Sequence, residues 1–300
     1  MAVSKCNPIR TDPLGREMVC HGSTMFPVAC YHDDLRDMPV PWHWHEELEV
    51  LIVEEGSVRV GVNGADYVLK QSEGFFINTG VLHGVWPEDS AQECRLHSIV
   101  FRPGFVGGGP ESVLWQKYVE PLISDTGRGW VCFTGSQAWE REALGAIEAG
   151  WQACAAEAEG FEFTVREQLS KVFLLLGQYA LPRKKPSAKK LRETERIKDM
   201  LCFVHKCYAE ELTLEQIAES ANVSGNECMR CFRSVIGISP MQYVKQARLQ
   251  KAAELLLLTD RKVADIGSAC GFQEMSYFAK AFRDQHGCTP SQFRLRGRST

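Results

Sequence analysis

The chain has 300 residues, of which 44% are hydrophobic and 24% charged, a composition that fits about two folded domains and excludes a wholly disordered chain or a membrane span. The formal net charge of −4 is unevenly distributed, because residues 183–300 carry 21 Lys/Arg and 13 Asp/Glu whereas residues 1–182 carry 13 and 25. This asymmetry indicates that only the carboxy-terminal part contacts a polyanion such as DNA.

The amino terminus, MAVSKCNPIRTDPLGRE, lacks the apolar core of an export signal, so we expect a cytoplasmic protein with no membrane association. The 12 cysteines are then expected to be reduced thiols. The Cys-x-x-Cys pair formed by Cys228 and Cys231 lies on a predicted helix without a second ligand pair nearby, which favours packing over a metal or redox role.

Short strands are predicted from about Val28 to Arg102. The segment 57–62 alternates valine with other residues, and the Asn63-Gly64 turn that follows is a strong hairpin signal. Further strands are predicted at 48–53, 75–78 and 97–101. Many short strands at close spacing indicate an antiparallel sandwich or small barrel.

Histidines and a carboxylate recur at regular spacing in this region. His43, His45 and Glu49 have the same parity, so an extended segment would direct all three to one face of a sheet. His83 follows the 75–78 strand and can join them. Imidazole and carboxylate ligands in such a set leave a divalent metal site open as a hypothesis, with a pocket lining or a hydrogen-bonded structural cluster as the alternatives.

The spacing from His43 through His45 and Glu49 to Gly56 resembles the first motif of the cupin barrels. The second motif departs from the pattern, because Ser72 replaces a usual glycine and Gly80-Val81-Leu82 replaces the usual approach to the last histidine. The resemblance implies a small-molecule effector at the barrel mouth, and in regulators of this kind it implies binding without a metal cofactor. We expect the effector site at the barrel mouth to be lined by Trp42, His43, His45, Glu49, His83 and Trp86.

Two helices are predicted after the barrel, at 138–159 and 162–181, because apolar residues recur there at helical spacing. They either cap the barrel or form a dimer interface. A basic linker with two prolines follows at 182–191, and a helix at 193–208 would begin the next domain. The predicted domains are therefore an effector-binding barrel at 1–137, a helical pair at 138–181, the linker, and a DNA-binding domain at 192–300.

The last hundred residues contain the same two-helix unit twice, about fifty residues apart. In the first copy a helix around Ile217 is followed by a break at 221–223 and by Ser224 as the N-cap of a second helix. In the second copy the break is Gly271-Phe272, and Phe278 and Phe282 take the inward places of Cys228 and Phe232. Both copies then continue into Gly-x-Ser/Thr-Pro and a further helix, the first of them at 240–258. Two short helices joined by a tight turn are typical of a helix-turn-helix, and a pure packing role for the repeat is the alternative.

The repeat resembles the DNA-binding domain of the AraC/XylS family of bacterial transcription regulators. The matching residues are Ile217-Ala218, Ser224, Arg230, Phe232, Gly237, Pro240, Tyr243, Ile266, Gly271-Phe272, Ser276, Tyr277-Phe278, Phe282, Gly287, Thr289-Pro290 and Phe293-Arg294. The sequence departs from the family at Cys228, Gly267 and Asn222, where Leu, Ala and Gly are usual. The resemblance implies two recognition helices in successive major grooves and favours a homodimer.

Counting back from each core phenylalanine predicts which residues of the recognition helices face the DNA. In the first helix they are Gly225, Asn226, Met229 and Arg230, and in the second Met275, Ser276, Ala279 and Lys280. Arg230 can grip guanine and Asn226 adenine, whereas methionines offer contact only to thymine methyl groups. The alternative for each residue is a solvated helix face.

The expected fold is therefore α+β, with a cupin-like antiparallel barrel and helical pair followed by an all-α double helix-turn-helix domain. The expected function is a ligand-responsive, sequence-specific transcription regulator that binds double-stranded DNA and, as an activator, contacts RNA polymerase. One alternative is a metal-dependent cupin enzyme, an isomerase or dioxygenase, targeted by its DNA-binding part. Another is an architectural DNA-binding protein without an effector.

Overall fold

The computed structural model describes Val3 and residues 21–36, 39–89, 92–125, 129–180 and 187–297. The chain divides into two compact units, with the division between Leu191 and Arg192. Within the described residues, no helix combines the length and apolarity that crossing a membrane requires.

The first unit is built on antiparallel strands. Their bounds are β1 Val28–Asp34, β2 Val40–His43, β3 Leu48–Glu55, β4 Ser57–Val62, β5 Ala65–Lys70, β6 Gly74–Ile77, β7 His83–Pro87, β8 Arg95–Phe101 and β9 Trp130–Phe133. They form a five-stranded sheet ordered β1-β8-β3-β6-β9 and a four-stranded sheet ordered β2-β7-β4-β5. The predicted antiparallel β domain is confirmed, but the expected closed barrel is not. The strands are divided between two sheets, and among the described residues no strand of one sheet pairs with a strand of the other.

The two sheets pack face to face. Leu51 and Val53 of β3 share one buried cluster with Val58 and Val60 of β4. The β4–β5 hairpin is closed by Asn63 and Gly64, which both have positive φ, 45° and 79°, as a type I′ turn requires. The hairpin predicted from the Asn-Gly pair is therefore confirmed.

Helices cover the other face of the five-stranded sheet. Their bounds are α1 Pro103–Gly107, α2 Glu120–Ile123, α3 Ala138–Ala156 and α4 Phe161–Tyr179, with a π-helical turn at Trp115–Val119. Val50 and Ile52 of β3 belong to one buried cluster with Ile147 of α3 and Leu169 of α4. The two predicted helices are thus confirmed, whereas their role in dimerisation stays a prediction.

The second unit is helical in its described residues. Its helices are α5 Ala188–Cys207, α6 Leu214–Ser220, α7 Gly225–Val235, α8 Pro240–Leu258, α9 Val263–Ala269, α10 Met275–His286 and α11 Pro290–Gly297. The predicted all-α domain with its two helix pairs is confirmed. Residues 182–186 of the predicted linker lie outside the described residues, and α5 begins within the rest of that range.

Polar side chains mark where these helices begin. Thr213 and Ser239 each form a capping box with the glutamine three residues later, so that side chain and backbone exchange hydrogen bonds. Ser224 accepts a hydrogen bond of 3.3 Å from the Glu227 backbone N–H and is the N-cap of α7, as predicted. The sequence pattern Ser/Thr-x-x-Gln thus sets the start of α6 and α8.

The turn of each helix-turn-helix depends on a residue in the left-handed region. Asn222 has φ 52° and Gly271 has φ 81°. Glycine adopts this conformation freely and asparagine tolerates it better than most residues. This explains why Asn222 can replace a glycine in the first copy without loss of the turn.

Arginines on α8 and α11 fix the loops that precede the two pairs. Arg248 Nε donates to the Tyr208 carbonyl and its Nη2 to the Glu210 carbonyl, both at 2.7 Å. Arg294 Nη2 donates to the Arg261 carbonyl at 2.6 Å. Each two-helix unit is therefore held at its entrance by a guanidinium group that satisfies loop carbonyls.

We expect Gly271→Ala to destabilise the protein more than Gly237→Ala. Both glycines have positive φ, 81° and 86°, which disfavours alanine by roughly 1–2 kcal/mol. A Cβ at position 271 would also lie 2.9 Å from the Tyr208 and Ala209 carbonyl oxygens, whereas one at 237 meets nothing within 4 Å. Urea unfolding followed by circular dichroism measures the difference, and equal losses for the two variants would contradict this account.

We also expect acid to weaken the second unit through His286. Burial against Phe282 and Phe293, at ring distances of 4.4 and 5.1 Å, lowers the pKa of His286 from 6.5 to about 4. As the pH falls, His286 therefore binds a proton in the unfolded chain before it does so in the folded chain. Its neutral form contributes fully to the free energy of unfolding above pH 6.5, and this contribution falls by on the order of 2 kcal/mol as the pH drops towards 4. His286→Phe keeps the packing and should flatten this pH dependence in urea titrations. An unchanged dependence would assign the acid sensitivity to other groups.

Candidate DNA-binding surface and histidine cluster

Helix α7 carries the first predicted set of DNA contacts. Asn226 and Arg230 are exposed, whereas Gly225 and Met229 are half-buried. Asn226, Met229 and Arg230 line one surface concavity. The opposite face of the helix, with Cys228 and Phe232, is buried in the core.

Helix α10 presents the second set. Ser276 and Lys280 are exposed, whereas Met275 and Ala279 are half-buried. Met275 is turned towards α9, because a Cβ added at Gly267 would lie 2.8 Å from its Sδ atom. Gly267 thus makes room for Met275, which explains the departure from alanine at this position and leaves Ser276 and Lys280 as the accessible members of the set.

Arg230 is held by carboxylates of its own chain. Its Nε donates to Glu227 Oε2 at 2.9 Å, and its Nη2 lies 3.2 Å from Glu193 Oε1 on α5. Arg196 also pairs with Glu227, at 3.0 Å. Contact of Arg230 with guanine therefore requires exchange of these carboxylates for base acceptors.

Two further cations, which were not predicted from the sequence, lie on the same helix faces. Arg233 on α7 and Arg283 on α10 are exposed and occupy equivalent places in the two copies. Arg233 lines the same concavity as Asn226 and Arg230. The signal was present in the sequence, since Arg233 follows Arg230 by three residues and therefore shares its helix face.

The four predicted metal-site residues come together in the first unit. One nitrogen of each histidine and one Glu49 oxygen all lie within 4.8 Å of one another. The extended segment expected from His43 to Glu49 is interrupted, however: His43 ends β2 in the four-stranded sheet, whereas Glu49 lies on β3 in the five-stranded sheet. His83 begins β7, which pairs with β2, and joins them as expected. They converge because the chain crosses between the sheets at His45.

Backbone carbonyls orient all three imidazole rings. The Nδ1 atoms of His43, His45 and His83 lie 2.9, 3.0 and 2.8 Å from the carbonyl oxygens of Pro41, Glu47 and Val81. A carbonyl can only accept, so each Nδ1 carries the proton that it donates. Each Nε2 therefore either binds a second proton or offers its lone pair to a cation.

Glu49 is the acidic centre of the cluster. Its Oε2 lies 3.4 Å from His45 Nε2 and 3.1 Å from His83 Nε2. Burial by itself would raise the pKa of Glu49, but the hydrogen bonds and charges of His45 and His83 hold it well below its usual value. The carboxylate is therefore ionised and available as a ligand.

The donor set fits a divalent metal ion. Zinc–nitrogen and zinc–oxygen distances near 2.1 Å imply ligand–ligand separations of roughly 3.4 Å in a tetrahedron. The two separations at Glu49 are 3.1 and 3.4 Å, and all four donor atoms lie within 4.8 Å of one another, so the widest pairs would contract around an ion. Carbonyl acceptors on the far ring nitrogens are the usual outer partners of metal-bound histidines. His43, His45, Glu49 and His83 would hold the ion.

Trp42 and Trp86 do not line this site with the histidines. Their rings pack together at 5.3 Å over Gly61 and Gly84, where an added Cβ would meet them within 3.0 Å. Val85 points into the core between the two sheets. Adjacent strand residues point to opposite faces, so Trp86, and Trp42 packed against it, lie on the outer face of the four-stranded sheet. The prediction that they join the histidines in one pocket is therefore corrected.

A two-sheet domain with an enclosed polar site, followed by a duplicated helix-turn-helix, defines a regulator that binds both a ligand and DNA. The AraC-like ligand binding domain family matches residues 26–153, and a helix-turn-helix domain family matches residues 217–296. The chain belongs to the AraC family of transcription regulators. It is a ligand-responsive, DNA-binding transcription regulator.

Two relatives that match most of the chain support this assignment. The chain is 27% identical over 284 residues to the HTH-type transcriptional regulator YdeC of Bacillus subtilis strain 168, covering 93% of this chain and 95% of that protein. It is 24% identical over 255 residues to the HTH-type transcriptional activator RhaS of Klebsiella pneumoniae strain 342, covering 85% and 87%. Among solved structures, a transcriptional regulator with an AraC-type DNA-binding domain from Chromobacterium violaceum is 27% identical, with a TM-score of 0.34 over 35% of this chain and 93% of that chain.

We expect Glu227→Gln to tighten binding to random-sequence DNA. The change removes the carboxylate that pairs with both Arg230 and Arg196 and leaves Glu193 as the remaining partner of Arg230. At least one more cation is then available to phosphates, and the slope of log affinity against log salt should steepen by about one or more. Fluorescence anisotropy with a random duplex at several salt concentrations measures both effects.

Glu215→Gln is the matched control for this variant. Glu215 is exposed on α6 and its replacement removes the same charge without touching Arg230. Equal tightening in both variants would show that net charge alone is responsible and that Arg230 is not restrained by Glu227.

Proposed function

We propose that α7 and α10 lie in successive major grooves of one DNA duplex and together read an asymmetric site. The observation that carries this proposal is the repetition itself. Each copy buries an aromatic or thiol face, with Phe232 and Phe282 fully enclosed, and turns an equivalent polar face to solvent. Recognition helices of this kind present their outer faces to base edges about one helical turn apart, roughly 34 Å.

The exposed residues divide by the contacts that their chemistry allows. Asn226 pairs with adenine, and Arg230 grips guanine once its carboxylates are displaced. Lys280, Arg233 and Arg283 supply charge to phosphates and position the helices. Ser276 forms a base or phosphate hydrogen bond, while half-buried Gly225, Met229, Met275 and Ala279 shape the surface between these groups.

The histidine cluster is the proposed ligand site of the first unit. Ligand binding there shifts the population of chains towards or away from the DNA-competent arrangement. The relative from Klebsiella pneumoniae is named an activator, and we propose activation through contact with RNA polymerase here as well.

We propose that the protein acts in the cytoplasm as a homodimer. The helices α3 and α4 form the dimer contact through exposed apolar residues such as Phe163 and Leu174.

A metal-dependent cupin enzyme is the second candidate function, because the three histidines and Glu49 form a complete ligand set. The space beside them argues against it. The cavity beside them, which His43, His45 and Glu49 line, has a volume of about 20 Å³, which is room for roughly one water molecule and not for an organic substrate. We therefore propose that the chain has no enzymatic activity.

Selection of genomic fragments by the full-length protein tests the proposed function. Specific sites that span two major-groove turns should bind at least about 10³-fold more tightly than bulk DNA. Binding of every fragment with the same weak, salt-sensitive affinity would contradict the proposal and favour an architectural protein.

Two matched variants then separate base reading from phosphate contact on α7. Asn226→Ala should weaken the selected site by about 1–3 kcal/mol and leave random DNA unaffected. Arg233→Ala should weaken both DNAs alike and reduce the salt slope by about one. Indistinguishable effects of the two variants would refute this division of roles.

A further inference from the structure

The polar site of the first unit is almost completely enclosed. The exposed fractions of His43, His45 and His83 are 3%, 2% and 1%, and that of the Glu49 side chain is 12%. We propose that the effector of this regulator is a divalent transition-metal ion, held by these four residues, and that the chain is a metal sensor. This inference rests on the proposed regulatory function and names the ligand of the same site.

The donor chemistry selects the class of ion. Three imidazole nitrogens with one carboxylate suit zinc, nickel, cobalt, iron or copper, whereas magnesium and calcium prefer all-oxygen sets. The rings are already oriented, because each Nδ1–H is donated to a fixed backbone carbonyl at 2.8–3.0 Å. Little ordering remains to be done when the ion binds, which favours tight binding.

The dimensions of this cavity favour an ion over an organic effector at the histidine cluster. The cavity of about 20 Å³ is lined by His43, His45 and Glu49 and also by Tyr31, Asp33 and Ser98. The last three side chains are themselves buried. Pockets for organic ligands have volumes of roughly 300–1,000 Å³. A single ion, with a water molecule hydrogen-bonded to the polar wall, matches both the size and the polarity of this space.

The position of the ligands provides a route from ion binding to the helices. His43 and His83 belong to the four-stranded sheet and Glu49 to the five-stranded sheet, so an ion would cross-link the two sheets where the chain passes between them. It would replace two hydrogen-bonded contacts at Glu49 by bonds to all four side chains. The arrangement with the sheets drawn together would therefore be favoured in the metal-bound state.

Helix α3 is anchored beside this site. The Trp151 indole N–H donates to the Tyr31 carbonyl at 2.9 Å, and Tyr31 also lines the cavity. His97 of β8 stacks on Trp151 at 4.4 Å and pairs with Glu148 of α3 at 2.7 Å. A shift of β1 or β8 against the other sheet would thus move α3, the helix that packs with α4 in the proposed dimer contact.

Metal content of the full-length protein is the first test. The protein is stripped with a chelator, reloaded with zinc, nickel, cobalt, copper or iron(II) in turn, desalted, and measured by mass spectrometry of the elements. We expect about one ion per chain for at least one metal and at least a tenfold loss of affinity in Glu49→Gln, which keeps the volume of the side chain. His32→Ala is the control, because His32 is half exposed and pairs with Glu54 outside the cluster.

Tryptophan fluorescence shows whether these variants are folded. All seven tryptophans lie between residues 42 and 151, so their unfolding transition reports the first unit. Glu49→Gln with an intact transition but no bound ion would support the proposal. A wild-type protein that retains fewer than about 0.1 ion per chain with every metal would overturn it.

Affinity for the selected DNA site, with and without the bound ion, is the second test. Coupling between the two sites should change this affinity by roughly 5- to 150-fold in wild type and not in Glu49→Gln. An ion that binds stoichiometrically without changing DNA affinity would be structural, and the sensor proposal would be wrong. Failure to find any specific DNA site would instead refute the regulatory function, and the metal measurement would still stand by itself.

Discussion

Strand β3 is buried on both faces, and the first unit is arranged around that constraint. Val50 and Ile52 face the helices α3 and α4, whereas Leu51 and Val53 face the four-stranded sheet. A strand covered on both sides cannot shift in register by one residue without exchanging its two apolar faces. Glu49 has the same parity as Leu51 and Val53 and therefore points into the space between the sheets. The register of β3 thus fixes the position of the Glu49 carboxylate, which lies next to His45 and His83.

The two copies of the helix-turn-helix reach the same geometry by different chemistry. The first copy uses Asn222 for the left-handed turn and Cys228 in the core, and the second uses Gly271 and Phe278. The restraints on the recognition helices also differ. Arg230 is held by Glu227 and Glu193, whereas no ion pair of the equivalent Lys280 is found among the described residues. In the proposed DNA complex, Arg230 must therefore exchange these carboxylates for acceptors on the DNA.

Charge and enclosure together fit the proposed sensor. The acidic amino-terminal half is poorly suited to touch DNA and well suited to concentrate cations, while the basic half does the reverse. In the proposed sensor, a small movement of the two sheets is enough to distinguish the ion-bound from the ion-free state, because the four ligand residues come from sheets that already pack together. The link from the cavity wall at Tyr31 to Trp151 of α3 is short and hydrogen-bonded. Such a link can pass a small shift of a sheet to a helix, since packed elements move as rigid bodies.

The sequence by itself determined the local structure and the residues of the candidate metal site. Apolar periodicity placed α4, the Gly-x-Ser-Pro sequence placed the start of α8, the Asn63-Gly64 pair placed the hairpin, and Ser224 placed the start of α7. The histidines and Glu49 were recognised as one set, because all of these signals act within short stretches of the chain. Only the tertiary structure decided which side chains meet. It turned Trp42 and Trp86 to the far face of a sheet, divided the strands between two sheets, and brought Glu193 of α5 to Arg230. Contacts between residues distant in the chain depend on how whole elements pack, and no short-range pattern encodes them.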